Sequence, residues 1–182
     1  MRKVVFLTCS IAFLIGVASA QMRSGNAFFG YSYYNSTNVS SPLFNRAATN
    51  GWEASLEGKI LPLLSVVGDV DGHFGSENVS TCGQGCGQFR SAVSQYDFLF
   101  GPRLSVSVGR VRPFAEVLVG GAHVNVHLLS SENSFASAAG GGFDYKVFAL
   151  LGWRVQADYV YTHFFNAKQN NIRVSTGIVL RF

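Results

Sequence analysis

Charge is scarce in this chain of 182 residues: 13% are Asp, Glu, Lys or Arg, against 48% hydrophobic. Disordered segments and chains that coat nucleic acid need many more charges, and a mean hydropathy of +0.22 argues against both classes. Proline is rare at 4 residues and cysteine is limited to 3, which excludes collagen-like and disulfide-dense scaffolds. Apart from Val4 to Val17, no apolar stretch comes near the roughly 18 residues that a membrane helix requires. What the chain does have is 20 glycines, a 14% share of aromatic residues, and a period-two pattern along most of its length.

The first residues read as an export signal. Arg2 and Lys3 form a basic start, Val4 to Val17 an apolar run, and Ala18-Ser19-Ala20 a small-residue cleavage site. The expected organisation is therefore a cleaved signal peptide over residues 1–20 and one domain over 21–182. Removing the leader takes away two bases and leaves a small net positive charge without a basic patch, so no nucleic-acid partner is expected. An exported chain meets an oxidising compartment, and Cys82-Gly-Gln-Gly-Cys86 is read as a small disulfide that pins a loop. The rival reading, a metal site, lacks a further His or Cys at zinc spacing. No cofactor is expected.

Eight segments alternate apolar and polar residues, the signature of strands with two unlike faces. They are Asn26–Asn35, Gly51–Ile60, Leu64–Phe74, Gln95–Val106, Val111–His123, Ala136–Lys146, Gly152–Thr162 and Asn171–Phe182. At about ten residues each they have the length of a tilted strand crossing a bilayer. Sorting the charges by parity is decisive. Glu53, Glu57 and Lys59 share one face of the second segment, opposite Trp52, Leu56 and Ile60. In the following segments the charged members are Asp69 with Asp71, Asp97 with Arg103, Arg112 with Glu116, Asp144 with Lys146, Arg154 with Asp158, and Arg173 with Arg181. Within each segment the charges share one parity, an agreement that chance would produce about once in 250. A glycine bulge near Gly120 would shift His123, Val124 and Val126, so the register beyond that point is left open.

A water-soluble barrel or sandwich buries its apolar face, whereas a transmembrane barrel turns that face to lipid. Three features favour lipid. Long connections near Ser36–Asn50 and Gly75–Ser94, with medium ones near Leu128–Phe135 and His163–Asn170, alternate with tight turns near Leu61-Pro62-Leu63, Ser107–Arg110 and Val147–Leu151. Aromatics on the apolar face gather at segment ends, as membrane-interface belts do: Tyr33, Trp52, Phe74, Tyr96 and Tyr161 on the long-loop side, Tyr145, Trp153 and Phe182 on the short-turn side. The leader exports the chain, and no apolar helix retains it. The expected fold is all-β: an eight-stranded antiparallel transmembrane β-barrel, closed because lipid tolerates no open sheet edge. Its inward face holds eight acids and seven bases, and unpaired charge there is costly enough to make ion pairing close to obligatory.

With this pattern the chain resembles the OmpA-like small outer-membrane barrels, which include the OmpX/Ail group. The resemblance rests on the eight alternating segments, the acidic and basic lumen, and the last segment Ile172–Phe182 with its terminal Phe. Arg112-Pro113-Phe114-Ala115-Glu116 before Gly120-Gly121, and Gly140-Gly141-Gly142-Phe143-Asp144 before Trp153-Arg154, are similar to the superfamily's later strands. The resemblance implies a bacterial outer-membrane location with periplasmic termini and lipid around the barrel. It also implies that the barrel-assembly machinery reads Phe182. The chain departs from full-length OmpA in stopping at Phe182, so the peptidoglycan-binding domain that follows the barrel there, and cell-wall tethering through it, are not expected.

Function is less legible. One reading is a structural or adhesive protein whose polar loops contact an extracellular ligand; such loops equally serve as hydrophilic cover. A second is a narrow passive pore, in which the inward glycines Gly30, Gly101, Gly120, Gly142 and Gly177 leave gaps for water. A third, a lipid-modifying enzyme, lacks a His-x-Ser pair facing the bilayer. His123, His127 and His163 fall near the long-loop side, and His73 lies on the polar face beside acids, so none is read as catalytic.

Overall fold

A computed structural model describes residues 24–39, 48–80, 88–126, 130–164 and 167–182. Its elements are β1 (Gly25–Val39), β2 (Ala48–Lys59), β3 (Leu64–Ser80), β4 (Gln88–Ser105), β5 (Val111–Val126), β6 (Ser130–Lys146), β7 (Leu151–Phe164) and β8 (Ala167–Arg181). All neighbours pair antiparallel in chain order, and β1 pairs with β8 to close the barrel. The leader, the Cys82–Cys86 pair and His127 lie outside the described residues, as do the side chains of His163 and Val126.

The eight expected segments coincide with the eight strands, but the strands are longer and the long connections correspondingly shorter. β3 continues to Ser80 and β4 starts at Gln88, so most of the segment 75–94 read as loop is ladder. Likewise β1 runs to Val39 and β2 starts at Ala48, while β6 starts at Ser130 and β8 at Ala167. Backbone pairing does not stop where outward side chains cease to be apolar, and Ser- and Asn-rich sequence continues a ladder wherever both faces are tolerated. The only irregularity in the seam between β1 and β8 is a register shift at Ser36–Asn38.

The short turns are closed by their own backbone. Leu61 and Leu64 exchange hydrogen bonds across one turn, and Val108 and Val111 do so across another. The second needs Gly109, whose φ of 61° is the left-handed conformation that tight hairpin turns demand. Gly25 and Phe182 exchange hydrogen bonds at 2.7 and 3.0 Å, fastening the ends of β1 and β8 together. Strand five keeps one parity throughout: Arg112, Phe114, Glu116, Leu118, Ala122 and Val124 are all buried, and no bulge interrupts it at Gly120.

Outside, apolar side chains are presented at large. Phe29, Leu56, Phe98, Phe100, Val117, Ile178 and Leu180 each expose more than half their surface. Tyr33, Trp52, Phe74, Tyr96 and Tyr161 stand outward toward one end, with Phe74 edge-on to Tyr96. Tyr145 and Trp153 stand outward toward the other end and are directly paired in the β6–β7 ladder. From Trp153 to Tyr161 a strand tilted by about 40° rises about 20 Å, close to the height of an apolar band in a membrane barrel.

Candidate functional site

The lumen is the candidate site, and the ladders decide which charges meet in it. Registered partners bring opposite charges side by side at Arg103–Glu116, Arg112–Asp144, Asp144–Arg154 and Asp158–Arg173. The same registers set three acids in a row across adjacent strands, Glu53–Asp71–Asp97. Two layers of different character result.

The layer nearer the short turns is balanced. Arg103 donates to Glu116 at 2.7 Å and to Glu57 at 3.2 Å. Arg154 grips Asp144 through two nitrogens, at 2.6 and 3.1 Å, a bidentate pairing that fixes both side chains. Arg112 completes the group on Glu57 and on Ser105 at 2.6 Å. Glu57 also accepts from Asn26 at 3.0 Å and Ser65 at 2.7 Å. Phe114 packs between two of these bases, with the Arg103 guanidinium carbon 4.2 Å and that of Arg154 4.8 Å from its ring centre. Three acids thus meet three bases, all buried.

The layer nearer the long connections is acid-rich. Arg173 alone serves Asp158 at 3.0 Å, Asp69 at 2.7 Å, Asp71, and Glu53 at 3.6 Å. Gln156 and Ser175 donate to Glu53. Asp97 is fully buried, and both its oxygens accept from the Gln95 amide at 3.0 Å. Above it Tyr34 accepts from Asn171 at 3.0 Å, and its ring lies 4.9 Å from that of His73.

His73 also lies beside Asp71 and Ser32, although neither its Nδ1 nor the facing Asp71 oxygen makes a hydrogen bond. Its Nδ1 lies 3.0 Å from Asp71 and its Nε2 3.0 Å from the Ser32 hydroxyl, which is 2.9 Å from that of Ser175. Carboxylate, imidazole and hydroxyl in that order are the parts of an activated nucleophile. Here every member is buried, and strand amides committed to ladders offer no oxyanion donors. The arrangement ties β1, β3 and β8 together. His123, on the outer face, contacts Asn133 at 2.6 Å.

Of the fifteen charges assigned inward by parity, the structure brings twelve into these buried layers, with Asp97 held by an amide. It does not bring in Lys59, Lys146 or Arg181, which sit at the strand ends on the short-turn side. There the mouth opens, and a face assignment carries no depth. Arg112 is the lowest base that the network holds. The charge pattern also misses part of the filling. Phe28, Val67, Leu99, Phe114, Leu118, Val124, Val160 and Val179 are buried, and parity alone would have placed them inward beside the charges. Nor do the inward glycines leave gaps: a Cβ at Gly101, Gly120 or Gly142 would collide with a carbonyl of the neighbouring strand. Close backbone approach, not free volume, is what they provide.

A closed eight-stranded antiparallel barrel is the fold of the small outer-membrane barrel proteins. Neither a family model nor a curated protein sequence matches the chain. Among solved structures it is similar to Neisserial surface protein A (NspA), at 13% identity and a TM-score of 0.67 over 87% of this chain and 97% of that one. OprG from Pseudomonas aeruginosa matches at 10% identity and 0.64, covering 87% of this chain and 95% of that one. Ail of Yersinia pestis, solved with the heparin analogue sucrose octasulfate, matches at 13% identity and 0.57, covering 87% and 98%.

Proposed function

We propose that this protein spans a bacterial outer membrane as a sealed barrel whose role is structural or adhesive. The seal is the observation that carries the reading. Two stacked layers of buried charge, with Leu99, Leu118, Ala122, Val124 and Val160 beside them, occupy the space a solute would need. Eight strands enclose a lumen that side chains can fill, and here side chains fill it. The outward apolar belt meets lipid, the short turns and both strand termini face the periplasm, and the longer connections face outward. Phe182, whose backbone closes the seam with Gly25, is the recognition signal for the assembly machinery. The Ail complex with a sulfated sugar analogue supports the adhesive half of this reading: a rigid barrel of this fold can present a surface to a polyanionic ligand.

Planar bilayers holding the folded, purified protein test the seal. The expected result is silence across a range of voltages of either sign. Reproducible unitary steps would replace this reading with the narrow passive pore.

A further inference from the structure

At the short-turn end the lumen opens on bases that no acid balances. Taken at the inward position nearest those turns, four of the eight strands end on a base: Lys59 of β2, Arg112 of β5, Lys146 of β6 and Arg181 of β8. The other four end on neutral residues. Arg112 alone of the four is neutralised, by Glu57 with Asp144 further off. Those two acids, the nearest to the mouth, are already engaged. Glu57 also accepts from Arg103, Asn26 and Ser65, and Asp144 is gripped through two nitrogens by Arg154. The turn residues 60–63, 106–110 and 147–150 add Arg110 and no acid, and residues 1–23 contain none either. Three positive charges therefore line the mouth without an ion pair among the described residues.

Arg181 identifies what they await. Its Nε and Nη2 lie out of solvent with no hydrogen-bond partner among the described residues. Those two nitrogens form the side-on edge of the guanidinium, whose parallel N–H groups meet a single oxyanion with two bonds. The edge rests on Gly152 of β7, where a Cβ would stand 3.4 Å from Nη2 and 3.6 Å from Nε. A charged donor kept from water and left unpaired is costly. Nothing has to be broken for this one to turn off the glycine toward the barrel axis. Lys146 is registered with Gly152 on one side of Arg181. On the other side Asn26, the registered partner of Arg181, donates to Glu57, and Lys59 stands on the next strand. An eight-stranded lumen is narrow enough for side chains to meet across it, so both lysines can reach a small ligand held by Arg181. All three bases belong to the inward face, so that ligand comes from the water of the mouth and not from the bilayer. One carboxylate would satisfy the edge and leave two charges over. A phosphate or sulfate group brings a second charge and further acceptor oxygens for the lysines.

We propose that the short-turn mouth of the lumen is a binding site for a dianionic oxyanion, a phosphate or sulfate group on a small water-soluble molecule, gripped by the Nε–Nη2 edge of Arg181 and flanked by Lys146 and Lys59. The site lies below the buried charge layers and needs none of them to part, so it goes beyond the sealing role and can fail separately from it. To test it, the full chain is folded in nonionic detergent micelles and titrated with inorganic phosphate at about pH 8, where phosphate is dianionic. Phosphorus NMR line broadening is measured against empty micelles. Saturable broadening is expected, displaced by sulfate and about tenfold less effectively by acetate at equal ionic strength. Arg181→Gln should weaken binding by about tenfold or more, the worth of a charge-assisted hydrogen bond. Arg181→Lys keeps the charge and loses the edge, and should still weaken binding severalfold; it carries the comparison if Arg181→Gln lacks the heat-resistant band of the folded barrel. Lys146→Gln and Lys59→Gln should each cost about two- to fivefold, as partly exposed ion pairs do. Arg110→Gln, in the turn and off the lumen face, should change affinity by less than about twofold. Broadening no greater than with empty micelles overturns the proposal. So does affinity that survives both Arg181 variants, or that Arg110→Gln reduces as much, since phosphate would then be answering diffuse surface charge. Equal displacement by acetate would make this a carboxylate site and overturn the dianion assignment.

Discussion

Arg173 holds together a part of the lumen that would otherwise repel itself. Four buried carboxylates, Glu53, Asp69, Asp71 and Asp158, converge on its guanidinium, and three acids stand opposite one another across β2, β3 and β4. Like charges placed directly across strands are destabilising, so the base is needed where it is. Arg173→Leu should therefore lower stability by about 3–5 kcal/mol, the cost of breaking a buried pair and stranding its partners. Asp97→Asn, by contrast, removes one of the crowded charges while keeping a side chain that Gln95 can still meet. It should change stability by less than about 1 kcal/mol or raise it. Urea midpoints read from the heat-resistant band separate the two, and equal losses would mean that Arg173 is not the organiser of this layer. Membership of the lumen was legible in the sequence because parity is a local property. The partnership was not, since Arg173 and Asp69 are 104 positions apart and meet only when the barrel closes.

Within the strands, glycine positions that look alike in the sequence stand in opposite situations. Gly177 of β8 faces Gly30 of β1 across the closing seam, and a Cβ there would strike the Gly30 backbone. Gly68 of β3 looks outward, with nothing within 4 Å of a Cβ built on it. Gly177→Ala should accordingly cost about 1–3 kcal/mol, as overpacking does. Gly68→Ala should be neutral or stabilise by up to about 1 kcal/mol, because it restricts the unfolded chain without a clash. Matching losses at the two sites, measured by urea titration in one detergent, would sink this account of the seam. The eight strands, their faces and the tight turns could be read from alternation and turn residues. Strand length could not: alternation ends where the outer surface no longer has to be apolar, whereas the ladder between β3 and β4 runs on through Ser76, Asn78 and Ser80. Parity places Leu99 and Leu118 inward too, but does not say how much of the lumen such residues fill. Fifteen charges announce a polar lumen, and nothing in the sequence says how much apolar filling shares it.

The whole barrel stands or falls as one closed ladder. Opening any seam within a bilayer or micelle would leave two strands' worth of backbone groups unpaired where no water can satisfy them, so partly opened forms are costly. The two layers still differ in charge balance, three acids to three bases in one and five acids to a single arginine in the other, which is where uneven stability would begin. The chain carries its own reporters, since its 2 tryptophans lie at opposite ends of the apolar band. Trp52 of β2 stacks on Phe29 with ring centres 6.5 Å apart, on the acid-rich side. Trp153 of β7 donates to Thr176 at 2.9 Å and sits edge-on to Phe143, on the balanced side. Trp153→Phe leaves only the first reporter and Trp52→Phe only the second. If closure makes unfolding all-or-none, the two variants should give fluorescence transitions in urea whose midpoints, each corrected for its own shift in the heat-resistant band, coincide with equal slopes to within about 10–15%. A transition that comes earlier for the Trp52 reporter than for the band of the same variant would show that the acid-rich half opens alone, and the barrel would then be two cooperative units stacked on one axis.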